Sequence, residues 1–154
     1  MQISIILNGK KIVEDVKPDL LLIDFVRAHG CYSVKRGCET SNCGLCTVLM
    51  NGKPILSCSM LVARANGSKI TTLEGLQKEA EEIGGYLADE AAEQCGFCNP
   101  GLLMNTIALF REYEDPSDEE ILKYLAGNYC RCSGYEGQLR AIQGFREYRK
   151  QRKG

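Results

Sequence analysis

The chain has 154 residues, which suits one domain or two small ones; 44% are hydrophobic and 25% charged, close to globular averages. Nineteen Lys and Arg against twenty Asp and Glu give a formal charge of −1, which argues against a nucleic-acid-binding domain, normally basic overall. No apolar run approaches the roughly 18 residues that span a bilayer, and this hydrophobicity excludes a disordered chain. The opening segment MQISIILNGKK lacks the basic stretch and small-residue cleavage site of an export signal, so a cytoplasmic protein is expected.

Residues 2–7 and 11–16 read as strands around Asn8-Gly9, and Asn-Gly between apolar runs is a strong hairpin signal. A helix follows, with Asp19 as its N-cap, Leu20, Ile23 and Val26 at helical spacing, and Gly30 as the C′ stop. Residues 47–50 and 54–57 form a second strand pair around Asn51-Gly52, and residues 69–72 add another strand. Residues 1–74 are therefore expected to be a small β-plus-helix domain.

Strand signals stop at Gly75. Residues 75–83 and 87–93 read as acidic helical stretches separated by Gly84-Gly85. Pro100 fits the N1 position of a helix reaching about Tyr113, with Leu102, Leu103, Thr106, Leu109 and Phe110 as its stripe. Ser117 and Glu120 make a capping box ahead of Ile121, Leu122 and Leu125, and Gly127 ends that helix. A last helix over 136–151 carries Leu139, Ile142, Phe145 and Tyr148. Residues 75–154 are thus expected to form a small helical bundle. Its final basic run, Arg140 to Lys153, reads either as a docking face or as a solvated helix face.

The nine cysteines carry most of the information. With an odd count and no export signal, a disulfide framework is not expected; in a reducing cytoplasm, clustered cysteines more often bind metal or react. His29 is the single histidine, so any metal is held mainly by sulfur. Cys38, Cys43, Cys46 and, after eleven residues, Cys58 give C-x4-C-x2-C…C, the plant-type ferredoxin spacing for a [2Fe–2S] cluster. Gly37 and Gly44 permit the tight wrapping such a loop needs. A four-cysteine zinc site remains the alternative, although it usually takes two short knuckles and the second is missing here. Cys31 stands outside the set and reads as a buried apolar residue.

Cys95, Cys98, Cys130 and Cys132 give C-x2-C…C-x-C, each pair lying just before an expected helix. Two helix N-termini would offer amides and positive dipole ends to a net-negative thiolate cluster. Ligands one residue apart strain a zinc tetrahedron and suit a two-iron core better, with zinc again the alternative.

The segments GCETSNCGLCTV, QCGFCNPG and NYCRCSGY resemble the signature blocks of the small iron–sulfur subunit of the molybdenum hydroxylases, the xanthine dehydrogenase, aldehyde oxidoreductase and carbon monoxide dehydrogenase family. The resemblance covers essentially the whole chain, at the length of a stand-alone subunit. It implies an α+β chain: an N-terminal β-grasp plant-type ferredoxin domain, then an all-α four-helix-bundle domain, each with one [2Fe–2S] cluster. The ligands implied are Cys38, Cys43, Cys46 and Cys58 for the first cluster and Cys95, Cys98, Cys130 and Cys132 for the second. It further implies a molybdopterin-binding large subunit, usually an FAD-binding subunit, and electron flow from molybdenum through the second cluster and then the first to FAD or another acceptor. Gln94 and Cys132 occupy the positions that face the pterin in that family. Glu39, Ser41, Leu45, Asn99 and Tyr129 depart from its usual residues without removing a ligand.

No nucleotide-binding glycine loop, Ser–His–Asp set or marked carboxylate pair is present, so no catalytic residue is expected in this chain. The reading is an electron-transfer subunit that leaves the bond chemistry to its partner. The alternatives are a free-standing ferredoxin-like carrier and a zinc-binding structural module.

Overall fold

The computed structural model describes residues 1–153; Gly154, at the end of the second expected unit, and the Lys153 side chain of the basic run lie outside the described residues. β1 (Gln2–Leu7) and β2 (Lys10–Asp15) pair antiparallel, as do β3 (Thr47–Met50) and β4 (Lys53–Leu56). Both turns have positive φ at both central residues, 48° and 83° at Asn8-Gly9 and 52° and 84° at Asn51-Gly52. That is the type I′ geometry, whose twist matches that of the strands. β5 (Lys69–Thr71) lies parallel to β1 and antiparallel to β3, completing a sheet of order β2-β1-β5-β3-β4.

Alternation along β1 buries Ile3, Ile5 and Leu7, which pack with Leu22, Ile23, Phe25 and Val26 of α1 (Leu22–Ala28). The helix begins three residues beyond the expected Asp19 cap. The Leu22 N–H donates to the Met60 carbonyl and the Val62 N–H to that of Leu20, at 2.7 and 2.8 Å, and Leu21 bridges to Leu61. These strand-like bonds hold the chain extended up to Leu21. Its C-terminus is as expected. Gly30, with φ of 85°, donates to Arg27, and Cys31 donates to Val26, the paired bonds of a Schellman stop.

The remaining helices are α2 (Gln77–Asp89), α3 (Asn99–Glu112), α4 (Asp118–Leu125) and α5 (Glu136–Lys153). The two expected helical stretches around Gly84-Gly85 are instead the single helix α2, which stops at Asp89, so residues 90–93 are not helical. Ile83 and Leu87, one turn apart, are both buried in the core that α5 shares, and this packing offsets the roughly 1 kcal/mol that each mid-helix glycine costs. α3 is buried on nearly every side because it is central: α2 and α4 pack against it, β3 and β4 cover another face, and α5 meets it at Phe110 through Phe145 and Arg149. Pro100 stands one place further into it than expected, since Asn99 is already helical. The Ser117–Glu120 capping box at α4 is fully formed.

The basic run of α5 is taken up within the chain. Arg140 pairs with Glu90, Arg146 with Asp118, Lys150 with Asp115 and Arg152 with Glu82, while Arg149 lies over the Phe110 ring. Such exposed pairs are each worth about 0–1 kcal/mol. No helix among the described residues is long and apolar enough to cross a membrane.

The sheet and the helices meet at α3, where Met104 and Ala108 pack on Leu49 of β3. Two glycines set how close they come. A Cβ at Gly101 would collide with the Gly44 carbonyl, and one at Gly44 would lie 2.6 Å from the Gly127 oxygen and the Asn128 amide nitrogen.

Candidate iron–sulfur sites

The loop between α1 and β3 carries Cys38, Cys43 and Cys46, and Cys58 arrives on the short turn Ser57–Ser59 that follows β4. That turn is fixed to Cys46: the Ser57 N–H and hydroxyl both donate to the Cys46 carbonyl, at 3.2 and 2.7 Å. The four sulfurs fall into two hydrogen-bonded pairs, Cys38 with Cys43 and Cys46 with Cys58. Backbone N–H groups of Thr40, Asn42 and Cys43 point at the Cys38 sulfur and bring its pKa down to about 6. Burial pushes Cys46 up to about 11. The loop is wound tightly enough that a Cβ on Gly37 would stand 3.2 Å from the Cys43 sulfur.

The second set gathers at two helix starts. Cys98 is the residue before α3, and Cys130 and Cys132 lie shortly ahead of α5. Here too the sulfurs pair. Cys132 and Cys95 are 3.6 Å apart, and Cys98 hydrogen-bonds with Cys130. The N–H groups of Cys132 and Ser133 donate to the Cys130 sulfur at 3.4 and 3.3 Å. Burial raises the Cys130 pKa, but the bonds from Ser133 and Cys132 outweigh it and leave the value at about 7. Burial likewise pushes Cys98 up to about 11, with no comparable set of donors to offset it. Among the described residues no three His, Cys, Asp or Glu side chains gather as ligands of one ion would; the cysteines stand in twos.

The two sets are stitched together. The Tyr129 N–H donates to the Cys43 carbonyl at 3.0 Å, and Asn105 donates to the Asn128 side chain at 2.7 Å and to the Thr47 hydroxyl at 3.5 Å. Lys35, three residues before Cys38, reaches across to the other loop, with its Nζ 4.6 Å above the Phe97 ring and 3.3 Å from the Phe97 carbonyl. One cleft of about 590 Å³ is lined by Cys38 and Cys43 from the first set and by all four cysteines of the second.

Gln94 is exposed and donates to the Cys132 carbonyl at 3.4 Å, so the two positions singled out by resemblance lie side by side on the surface. Cys31 is buried in the core of the sheet half and stands apart from both sets, its sulfur accepting a hydrogen bond from the Asn8 side-chain amide at 3.5 Å. Three residues that surround the second set escaped sequence reasoning. The Tyr135 hydroxyl accepts from the Cys130 N–H at 3.1 Å, Lys35 bridges the loops, and the buried Gln138 faces Cys98. Gln138 alone left a trace, as a polar residue on the face that Ala141, Ile142 and Phe145 bury.

Comparison with known proteins agrees with this grouping. Residues 13–82 match a 2Fe-2S iron-sulfur cluster binding domain, and residues 72–143 match a [2Fe-2S] binding domain. The chain is 40% identical over 136 residues to the nicotinate dehydrogenase small FeS subunit of Eubacterium barkeri, covering 86% of this chain and 87% of that one. It is 42% identical over 134 residues to the xanthine dehydrogenase iron-sulfur-binding subunit of Escherichia coli O157:H7, 84% of each chain. It superposes on a chain of quinoline 2-oxidoreductase from Pseudomonas putida 86 with a TM-score of 0.87 at 37% identity, covering 98% of this chain and 96% of that one.

Proposed function

The chain belongs to the family of small two-cluster iron–sulfur subunits of the molybdenum hydroxylases, and from that membership we propose how its own residues serve electron transfer. Cys38, Cys43, Cys46 and Cys58 hold one [2Fe–2S] cluster, and Cys95, Cys98, Cys130 and Cys132 hold the other. What supports this ligand set is the pairing of the sulfurs in twos at each site, which suits two irons with two thiolates each. The glycine at position 37, whose Cβ would press on a ligand sulfur, and the N–H groups aimed at Cys38 and Cys130 fit a net-negative core in the same way. When bound, each cluster supplies a one-electron station.

The chain then divides at about residue 74 into a β-grasp ferredoxin-like domain, 1–74, and a helical-bundle domain, 75–154. Gln94 and Cys132, adjacent on the surface, face the pterin of a molybdopterin-binding partner, with the Gln94 amide orienting it. Cys38, Cys43, Cys46 and Cys58 lie toward the acceptor side, an FAD-binding subunit being the expected recipient. The chain contributes no catalytic residue; it fixes the two ligand sets in series and holds them together at the Cys43–Tyr129 hydrogen bond. The nine unbridged cysteines fit a reducing cytoplasm.

The test is to purify the chain anaerobically from its host with whatever accompanies it. A red-brown protein that carries two distinct paramagnetic signals on reduction and a stoichiometric molybdenum subunit is the expected result. A colourless protein containing zinc would overturn the assignment, and two clusters without any partner would leave a free-standing carrier.

A further inference from the structure

The face of α5 that packs into the core is apolar except at Gln138. Ala141, Ile142 and Phe145 are buried on it, and Gln138, one turn earlier, is only 5% exposed. Burying an amide costs about 1–3 kcal/mol unless it is hydrogen-bonded. The Gln138 Nε2 lies 3.8 Å from the Cys98 sulfur. On its other side Cys98 meets the Asn99 Oδ1 at 3.7 Å, while the Asn99 Nδ2 is committed to Glu93. A Cys98 thiol has one proton, which Asn99 Oδ1 and the Cys130 sulfur both compete to accept; a metal-bound thiolate has no proton to give, and the Gln138 amide is then the side-chain donor that remains.

We propose that Gln138 sets the reduction potential of the second cluster by donating an N–H···S hydrogen bond to Cys98. The inference rests on the ligand assignment made above. One-electron reduction adds negative charge to a cluster and its thiolates, and a fixed N–H dipole in a low-dielectric interior favours that state. The Cys130 sulfur takes its bonds from the backbone N–H groups of Cys132 and Ser133, which side-chain substitution leaves in place. Gln138 is instead a side chain, held on the first turn of a long, packed helix, so it acts on one cluster and not on the other.

Gln138→Leu and the similarly long Gln138→Met, made in the full chain with its clusters, both remove the donor. The readout is a redox titration followed by electron paramagnetic resonance, with the second-cluster signal identified as the one perturbed by Cys130→Ser. In both variants the equilibrium for reducing the second cluster falls by roughly three- to tenfold, tenfold being 59 mV for a one-electron couple, and the first cluster keeps its midpoint. Unchanged midpoints, or equal shifts in both clusters, overturn the proposal. So does failure of both variants to load the second cluster, which assigns Gln138 to folding instead. A wild-type chain without two reducible signals would sink the ligand assignment and this proposal with it, whereas two signals that ignore both substitutions sink the proposal alone.

Discussion

The backbone N–H of Tyr129 donates to the carbonyl oxygen of Cys43 at 3.0 Å. Tyr129 is bonded directly to Cys130, so the path from one sulfur set to the other consists of covalent bonds and one hydrogen bond, with no through-space gap. That closeness exists because Gly44 and Gly101 carry no side chain where the two halves touch.

Gly44→Ala should damage this contact. Gly44 has φ of 75°, and its Cβ would lie 2.6 Å from the Gly127 oxygen, so strain and overpacking together cost on the order of 2–4 kcal/mol. Thermal unfolding should show the loss, and rapid-freeze resonance should show slower transfer between clusters. Gly52→Ala, at φ of 84° but with open space around it, should cost only about 1–2 kcal/mol and leave transfer alone. Equal effects from the two substitutions would refute the role given to the contact.

Inside α2 the sign reverses. Gly84 is helical and a Cβ there meets nothing within 4 Å, so Gly84→Ala should stabilise the chain by about 0.5–1 kcal/mol. Gly101→Ala, also helical, should destabilise it because its Cβ runs into the Gly44 carbonyl. Denaturant midpoints for the pair check both directions.

Separate ligand sets predict separable losses. Cys130→Ser should perturb or abolish one paramagnetic signal and Cys46→Ser the other, each leaving its neighbour intact. Iron in the wild-type chain should be about four per molecule, from two irons in each cluster, and should fall toward two in either variant. Loss of both signals from a folded single variant would contradict independent sites.

Tyr124 gives a pH signature. Burial, with its hydroxyl donating to Glu112 at 3.1 Å, pushes its pKa up to about 12 from 10.0. The folded form therefore keeps a proton that the unfolded form releases, and this contribution, complete below the unfolded value, is lost as pH rises from about 10 to about 12. Tyr124→Phe should flatten that decline. Guanidinium unfolding of both proteins at about pH 9 and about pH 11 measures the difference in slope.

Local rules sufficed wherever one short segment held its own explanation. Asn8-Gly9 and Asn51-Gly52 turn the chain because their backbones accept positive φ, Ser117 and Glu120 cap α4 by reaching each other three residues apart, and cysteine spacing announced two sulfur sites. Partners distant in the chain settled the rest. Met60 and Leu61 delay α1, packing around Ile83 and Leu87 carries α2 through two glycines, and Cys43 meets Tyr129 across the join between sheet and helices. That Cys130 meets Cys98, and that Gln138 stands over Cys98, depends on where α5 comes to rest against the rest of the helical core. Spacing along a chain encodes what a loop is able to wrap, but burial and approach across long separations arise only when the elements pack.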